Sequence, residues 1–205
     1  MSNSRRNRII GITGGIGAGK SMVSRILSLR GYTVYDCDSK AKLLMTRMPL
    51  SAKLRQLISD DLFAPDGSLN RTLMAERIFS DEKLLKRVNE AVHAAVRDDI
   101  RECASEACKD SLFFVESAIL ATSQLHRFTD EVWLVEAPLE IRLQRALNRN
   151  PEAKVVDIEK RIKAQEKETE LLNKDSLSII DNSGTDSVLL QVEHLLECLT
   201  LNENN

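Results

Sequence analysis

The sequence lacks the cysteine pattern of disulfide-rich and zinc-binding proteins. Its four cysteines, Cys37, Cys103, Cys108 and Cys198, form no C-x-x-C pair, and we identify no histidine at zinc-ligand spacing from them. We therefore expect reduced intracellular thiols. A chain of 205 residues buries roughly 70% of its unfolded surface, so its core needs neither disulfides nor a metal.

An excess of charge of one sign is also missing, and so are long apolar runs. Lys+Arg total 29 and Asp+Glu total 31, so the net charge of -2 offers no global field to DNA, RNA or anionic lipid. After the polar, basic residues 1–8, the apolar stretch 9–12 is too short for a signal peptide or a membrane span. We expect a cytoplasmic protein whose phosphate-binding surfaces, if present, are local.

The composition that is present fits one soluble globular domain, or one with an inserted subdomain. The chain is 42% hydrophobic and 29% charged, which excludes a disordered or collagen-like protein. Glycine is scarce, with eight residues, yet five of them stand between Gly11 and Gly19. This cluster needs a local explanation.

The glycines stand between a predicted strand and a predicted helix. Residues 9–13 predict a short buried strand, and the apolar positions 22, 23, 26, 27 and 29 follow helical spacing, with Gly31 as a C-terminal stop. Residues 32–37 are rich in β-branched and aromatic side chains and predict the next strand. The opening is therefore a βαβ unit.

The rest of the chain alternates between helical and strand patterns. Residues 39–109 predict helices without a convincing strand, with breaks at Pro49 and at 65–68, and the longest helix spans about 81–109. Strands are predicted at 112–116, 132–137 and 177–180, and helices at 138–147, at 155–172 and after Gly184. This order predicts a five-stranded parallel sheet covered by helices on both faces.

Residues 14–21, G-G-I-G-A-G-K-S, match the P-loop pattern G-x-x-x-x-G-K-[ST]. Glycines let the backbone curl closely around phosphate oxygens, and the following helix directs its positive end at them. Lys20 would neutralise charge on the β- and γ-phosphates, and the Ser21 hydroxyl would reach a Mg²⁺ ion. We predict a nucleoside triphosphate as ligand.

Two carboxylates, Asp36 and Asp38, end the second predicted strand. The carboxyl ends of parallel strands are where ligands bind, so these acids are predicted to lie beside the P-loop. One of them would accept a proton from an attacking hydroxyl or help to hold a metal. The alternative is a helix N-cap at Asp38, a role that needs only one acid.

Other candidates carry weaker signals. Arg142, Arg145 and Arg149 lie on one predicted helix before Pro151, where arginines on a closing lid would neutralise a transferring phosphoryl group, or would form a solvated face. Glu116 ends the third predicted strand, where a metal-organising acid is often found. His93 lies on a helical face, where a packing or capping role is the alternative.

Several motifs occur together in one order. They are G-I-T-G-G-I-G-A-G-K-S at 11–21, D-C-D at 36–38, D-G-S-L-N-R at 66–71, E-R-I-F at 76–79, R-x-x-x-R at 145–149, R-I-x-x-Q at 161–165 and D-N-S-G at 181–184. On these residues the sequence resembles the dephospho-coenzyme A kinase family across residues 8–199. The resemblance implies an α/β, P-loop nucleotide-kinase-like three-layer sandwich with a helical substrate-binding insertion and a lid. It also implies transfer of the ATP γ-phosphate to the ribose 3′-hydroxyl of dephospho-coenzyme A, the last step of coenzyme A synthesis.

The resemblance also implies roles for individual residues. Asp38 would be the general base, with Lys20 and Arg145 as the other catalytic residues and Asp36, Arg77 and His93 on the acceptor. Glu116 is assigned to the acceptor from its place at a strand end and not from the resemblance. ATP would be held by Gly15, Ile16, Gly17, Ala18, Gly19, Lys20, Ser21, Met22, Arg149, Asn182 and Gly184, and Mg²⁺ by Ser21. The sequence departs from the family pattern at Met22, at Ala94, where proline is usual, and at residues 116–122.

These expectations divide the chain into parts. Residues 8–38 and 110–205 would form the nucleotide-binding core, 39–109 the acceptor-binding insertion, and about 145–160 the lid. The partner would be the small-molecule acceptor alone, with the chain a monomer or a weak homo-oligomer. A nucleoside or nucleotide monophosphate kinase is the alternative within the class. A nucleotide-binding switch is the alternative outside it, disfavoured because no N-K-x-D motif follows.

Overall fold

A computed structural model describes residues 7–106, 111–172 and 177–201. Cys108, the predicted helix end at 109, the core boundary at 110 and the basic residues 1–6 lie outside the described residues. The elements, in chain order, are β1 (Arg8–Thr13), α1 (Lys20–Leu29), β2 (Thr33–Asp36), α2 (Cys37–Leu44), α3 (Leu50–Leu57), α4 (Arg71–Phe79), α5 (Glu82–Ser105), β3 (Leu112–Glu116), β4 (Glu131–Glu136), α6 (Leu139–Arg149), α7 (Val155–Glu170), β5 (Leu177–Asp181) and α8 (Val188–Leu201).

The five strands form one parallel sheet in the order β2-β3-β1-β4-β5, which confirms the predicted α/β class. β1 lies at the centre, paired with β3 on one side and β4 on the other. The register sets Ile12 opposite Glu116, and Glu136 opposite Asp181. Several strand ends that carry polar side chains therefore share one edge of the sheet.

Alternation along the strands separates two apolar faces. One face, with Phe114 and Trp133, packs against α1 and α8 in a fully buried cluster that also contains Val23 and Val192. On the opposite face, a Cβ at Gly11 would collide with Leu120, which explains a glycine inside a buried strand. Both faces of the sheet are thus covered, as predicted.

Helix α1 begins at Lys20, directly after the last glycine of the cluster. Its buried positions are Val23 and Leu27, whereas Met22 is 51% and Leu29 79% exposed, so the predicted apolar face is too wide. The predicted stop is confirmed, because Gly31 has φ 86° and Tyr32 N–H donates to Leu27 O, the hydrogen-bond pattern of a helix ending at glycine. The β1–α1–β2 unit is therefore as expected.

The chain divides into two compact units, Met1–Tyr35 with Ala104–Asn205, and Asp36–Cys103. The first contains nearly all of the sheet. The second consists of helices around a core of its own that includes Leu54, Leu62 and Val88. Within residues 39–103, all of them described, the only β pairing is an isolated antiparallel bridge between Phe63 and Leu69, as the lack of a strand pattern predicts.

Further boundaries differ from the prediction by one or two residues, among them two at helix ends. Pro138 is the N-cap of α6 rather than a residue of its first turn, and α7 ends at Glu170 rather than at 172. Across the helices of the described ranges, none is long and apolar enough to cross a lipid bilayer.

Candidate active site

The P-loop lies between the carboxyl end of β1 and the start of α1. Gly14, Gly17 and Gly19 have φ values of 149°, 77° and 110°, which side chains with a Cβ rarely adopt. Neighbours also leave no room for a Cβ: it would meet Val135 O at Gly14, the Arg142 backbone at Gly17 and the Asn182 side chain at Gly19. Glycine is therefore required here for both conformation and space.

The N-terminus of α1 is open to an anion. Its N-cap, Gly19, provides no side-chain hydrogen bond, and no acidic residue stands in the first turn. The first N–H groups of a helix have no partner within it, and together with the helix dipole they favour a negative ligand. The Ser21 hydroxyl is on this first turn and exposed, as is Met22.

Lys20 extends back over the loop. Its Nζ donates to Gly14 O at 2.8 Å and lies 3.5 Å from Gly15 O. Because Lys20 is partly exposed, its ammonium offers a positive charge beside the N-terminus of α1. This is the arrangement that a polyphosphate needs.

Arg145 and Asn182 support the loop from the side. Arg145 donates from Nη1 to Gly17 O at 3.4 Å and from Nη2 to Asn182 O at 3.1 Å, and the Asn182 Nδ2 donates to Ala18 O at 2.7 Å. Asn182 is buried, directly after β5. The structure thus brings these two predicted residues together with the P-loop.

The other two members of the predicted nucleotide-side set are more open. Arg149 ends α6 and is exposed, and within the described ranges no hydrogen bond or ion pair holds its side chain. Gly184 has φ 102° in an exposed turn that has space for a Cβ. The Ser183 N–H and hydroxyl donate to Asp181 and lower the pKa of that carboxyl, so D-x-x-G here is a local turn.

Arg142 contacts the P-loop more closely than sequence reasoning predicted. Its Nε donates to Ile16 O at 3.0 Å, and a Cβ at Gly15 would collide with its guanidinium. The sequence placed Arg142 on the arginine helix without selecting it. Its three-residue spacing from Arg145, one helical turn, is the signal that would have found it.

Helix α7 holds two residues that the sequence reasoning missed. Gln165 Oε1 accepts the Ile16 N–H at 2.7 Å. Glu168 is buried, and its Oε2 accepts the N–H groups of Ala121 and Thr122 at 3.0 and 3.2 Å, while its Oε1 accepts the Thr122 hydroxyl. Gln165 was part of the R-I-x-x-Q motif, but nothing in the local sequence of Glu168 distinguishes it from the exposed acids around it.

Glu116, the last residue of β3, accepts a hydrogen bond from Ser24 on α1. Within the described ranges, no group of three or more metal-binding side chains is present. Mg²⁺ at phosphates typically takes one or two protein ligands and completes its shell with phosphate oxygens and water. The exposed Ser21 hydroxyl, beside an open helix N-terminus, fits that requirement.

One zinc-related expectation was wrong in detail. His194 and Cys198 lie four residues apart on α8, with Nε2 and Sγ 3.8 Å apart. A helix brings residues at this spacing to one face, which the search for cysteine pairs overlooked. Two ligands alone do not make a zinc site.

A cavity of about 360 Å³ adjoins the P-loop in the first unit. It is lined by Gly15, Ala18, residues 134–138, Arg142 and Thr169. Its volume is in the range of small-molecule sites, and Glu136, Arg142 and Thr169 supply polar groups. The first unit therefore combines an anion-binding loop with an adjoining concave space.

In the second unit, Asp36 and Asp38 differ sharply. Asp36 is the N-cap of α2: its carboxylate accepts the N–H groups of Asp38 and Ser39 and the Ser39 hydroxyl, at 3.0, 3.2 and 2.6 Å. One acid of the pair does cap a helix, as the alternative predicted. The capping residue is Asp36 and not Asp38, which lies inside the first turn of α2. The exposed Asp38 carboxylate has no hydrogen bond or ion pair with any described residue.

Arg77 and His93 also belong to the second unit. Arg77 forms a two-pronged ion pair with Asp61, at 2.9 and 2.8 Å, and the Ser59 hydroxyl and Arg77 lower the pKa of Asp61. His93 is half-buried on α5, and burial, followed by the charge of Arg97, lowers its pKa. Both effects favour the neutral form of its ring.

A P-loop at the carboxyl end of the central strand of a five-stranded parallel sheet is the defining feature of a P-loop kinase-like protein. A family model described as dephospho-CoA kinase matches residues 8–187, and the chain belongs to that family. It is therefore a kinase, a nucleotide-binding transferase.

Individual relatives agree with this assignment. A dephospho-CoA kinase of Porphyromonas gingivalis is 38% identical over 197 residues, which cover 96% of each chain. The crystal structure of TT1252 from Thermus thermophilus superposes with a TM-score of 0.75 at 31% identity, over 97% of this chain and 98% of that one. The dephospho-CoA kinase of Campylobacter jejuni, at 19% identity over 95% and 98% of the two chains, shares the fold with a TM-score of 0.65.

Proposed function

We propose that the protein transfers the γ-phosphoryl group of ATP to the ribose 3′-hydroxyl of dephospho-coenzyme A, giving coenzyme A and ADP as the last step of coenzyme A synthesis. The observation that carries the proposal is a complete P-loop, in anion-binding geometry, in a member of the dephospho-CoA kinase family. We further propose that it acts in the cytoplasm, as a monomer or weak homo-oligomer, without nucleic-acid partners.

The nucleotide is assigned to the first unit. The N–H groups at the start of α1, with residues 15–22, bind the phosphates, and Lys20 neutralises charge on the β- and γ-phosphates. Arg145, held at the loop through Gly17 O and Asn182, stabilises charge on the phosphoryl group during transfer. Asn182, Gly184 and Arg149 are assigned to the rest of the nucleotide.

A divalent metal accompanies ATP in this proposal, and Mg²⁺ is the expected ion. When bound with the nucleotide it neutralises charge on the β- and γ-phosphate oxygens. Ser21 would hold it through the hydroxyl on the first turn of α1. Glu116, also proposed to face the acceptor, has its carboxylate oriented by Ser24.

The acceptor is assigned to the helical segment 39–109 together with Asp36 and Asp38, and residues of about 145–160 are assigned to a lid. Asp38 is the proposed base because Asp36 already uses its carboxylate for the α2 cap. The acceptor 3′-oxygen bonds to the γ-phosphorus, the bond to the bridging oxygen of ADP breaks, and Asp38 takes the hydroxyl proton. Arg77 and the neutral His93 supply hydrogen bonds to the acceptor.

The test is an acceptor panel with the purified full chain and MgATP. ADP release and product mass are followed for dephospho-coenzyme A, nucleosides, nucleoside monophosphates and no acceptor, with NMR locating the new phosphate. Among these acceptors, we expect turnover only with dephospho-coenzyme A, and we expect the new phosphate on its 3′-oxygen. Phosphorylation of a nucleoside or nucleotide instead, or slow hydrolysis without a phosphorylated acceptor, overturns the proposal. An Arg145→Ala variant that has lost the activity excludes a contaminating kinase.

A further inference from the structure

Helix α7 is fastened at two points by polar side chains that the proposed reaction does not use. Gln165 Oε1 accepts the Ile16 N–H of the P-loop at 2.7 Å. Glu168, three residues later, accepts the N–H groups of Ala121 and Thr122 and the Thr122 hydroxyl. Residues three apart share one helix face, so this face of α7 joins the P-loop to the segment after β3.

The backbone of Ile16 is held at both its N–H and its C=O, which belong to two successive peptide groups. Gln165 accepts its N–H, and the Arg142 Nε donates to its C=O at 3.0 Å. Glycines flank this residue on either side, and Gly17 has φ 77°. The local backbone therefore restricts the orientation of these two peptide groups very little. The two side chains thus fix the orientation that the glycines leave free.

Glu168 is costly at its position. It is 8% exposed, and a buried carboxylate is tolerated only when hydrogen bonds compensate for lost water. Burial raises the pKa of Glu168, against the lowering effects of the two backbone N–H groups and of the nearby His126. The compensation therefore depends on contacts with residues 121 and 122, which hold α7 at a defined position.

We propose that Gln165 and Glu168 are positioning residues for the nucleotide: Glu168 fixes α7, α7 holds Gln165 on the Ile16 N–H, and the P-loop is thereby kept in its phosphate-binding shape. Preorganised donors bind and stabilise charge better than donors that must first be ordered. The inference uses the proposed function only in taking ATP as the ligand. It requires nothing of the acceptor.

The first test measures nucleotide affinity by calorimetry, without acceptor or turnover. Gln165→Met keeps the length of the side chain and removes the acceptor oxygen. We expect the Kd of ATP and of ADP to rise about three- to tenfold, the effect of one lost hydrogen bond. Gln144→Met, at an exposed position on α6, is the matched control and should leave both Kd values unchanged.

Steady-state kinetics separate positioning from general damage. KM for ATP should rise in Gln165→Met while KM for dephospho-coenzyme A and the thermal midpoint stay at the wild-type values. An unchanged or lower Kd for ATP overturns the proposal, since a lower Kd would mean that Gln165 competes with phosphate for the Ile16 N–H. If wild-type protein binds ATP but phosphorylates no dephospho-coenzyme A, the proposed function fails while this test remains valid.

The second test asks whether Glu168 acts through Gln165. Glu168→Gln keeps an acceptor oxygen and should fold, and we expect a two- to fourfold rise in the Kd of ATP, larger in Glu168→Ala if that variant folds. In the double variant Gln165→Met/Glu168→Gln, the Kd should match that of Gln165→Met alone. Additive effects, or an equal effect of the exposed control Glu170→Gln, overturn the link.

Discussion

The two units present their candidate residues in opposite ways. In the first unit, Lys20, Arg145 and Asn182 are tied by hydrogen bonds to the backbone of the P-loop. In the second, Asp38 is exposed without a described partner, and Arg77 is paired with the local acid Asp61. The residues proposed for the nucleotide are therefore held in place without a ligand, whereas Asp38 faces solvent and Arg77 is engaged by an acid that has no proposed role.

The largest expected effect is a loss of kcat on substitution of an exposed acid of the second unit. Asp38→Asn should lower kcat by about 10²–10⁴-fold, because the amide cannot take the hydroxyl proton. Asp36→Ala should instead destabilise the fold by about 0.5–2 kcal/mol through loss of the α2 cap. Stopped assays and chemical denaturation measure the two effects. A larger kcat loss in Asp36→Asn than in Asp38→Asn would exchange their assignments.

In the first unit, Lys20→Met should lower kcat by about 10²–10³-fold, since the preorganised charge on the phosphates is lost. The methionine keeps the length of the side chain, so the fold should be unchanged. Circular dichroism checks this. Near-normal turnover in a folded variant would remove Lys20 from the mechanism.

Asn182→Ala tests how far the loop depends on its supports. The variant leaves Ala18 O without its donor and removes the Oδ1 acceptor of Arg145, while the backbone acceptor Asn182 O stays, so we expect a loss of about 1–3 kcal/mol in the free energy of unfolding. Weaker ATP binding should accompany it. Denaturant titration measures the first effect and calorimetry the second, with the exposed Asn148→Ala as a control.

Arg77 sharpens the comparison on the acceptor side. Arg77→Ala should raise KM for dephospho-coenzyme A severalfold and leave KM for ATP unchanged, with little effect on stability because the Asp61 pair is exposed. Asp61→Asn frees the guanidinium and should not raise KM for the acceptor. Equal effects of the two variants would show that only the ion pair matters.

The smallest expected effect is in the pH dependence of stability. Burial raises the pKa of Glu168, so the folded state binds this proton more tightly than the unfolded state does. The stabilisation from the protonated form is complete below the ordinary value of 4.5 and is lost as pH rises through the folded pKa. Glu168→Gln should remove this slope, measured by urea unfolding across mildly acidic pH. An unchanged slope would exclude Glu168 as its source.

The sequence predicts best what the backbone itself requires. The P-loop consists of glycines that no other residue can replace, and it stands between a strand and a helix. Its position in the chain and the order of these two elements were therefore predicted correctly. The β3 strand, a continuous apolar run, was predicted with its exact observed bounds, Leu112–Glu116. Local patterns of this kind need no knowledge of distant partners.

Contacts between distant segments were beyond the reach of these patterns. Glu168 lies among exposed charged residues of α7, and only the position of Ala121 and Thr122 in space makes it buried. The apolar face of α1 was predicted too wide because Met22 and Leu29 have helical spacing but are exposed. The identity of the capping acid depends on the exact residue at which α2 begins. Periodicity rarely resolves a helix start to one residue.

The hydrogen bond from Asn182 to Ala18 joins residues 164 positions apart, and the Gln165 bond to Ile16 spans 149. On the ribosome, the P-loop is thus synthesised well before the residues that support it. A nascent chain that ends before α6 carries the whole glycine motif without Arg142, Arg145, Gln165 or Asn182. We therefore expect nucleotide affinity to arise only after these supporting segments have been synthesised.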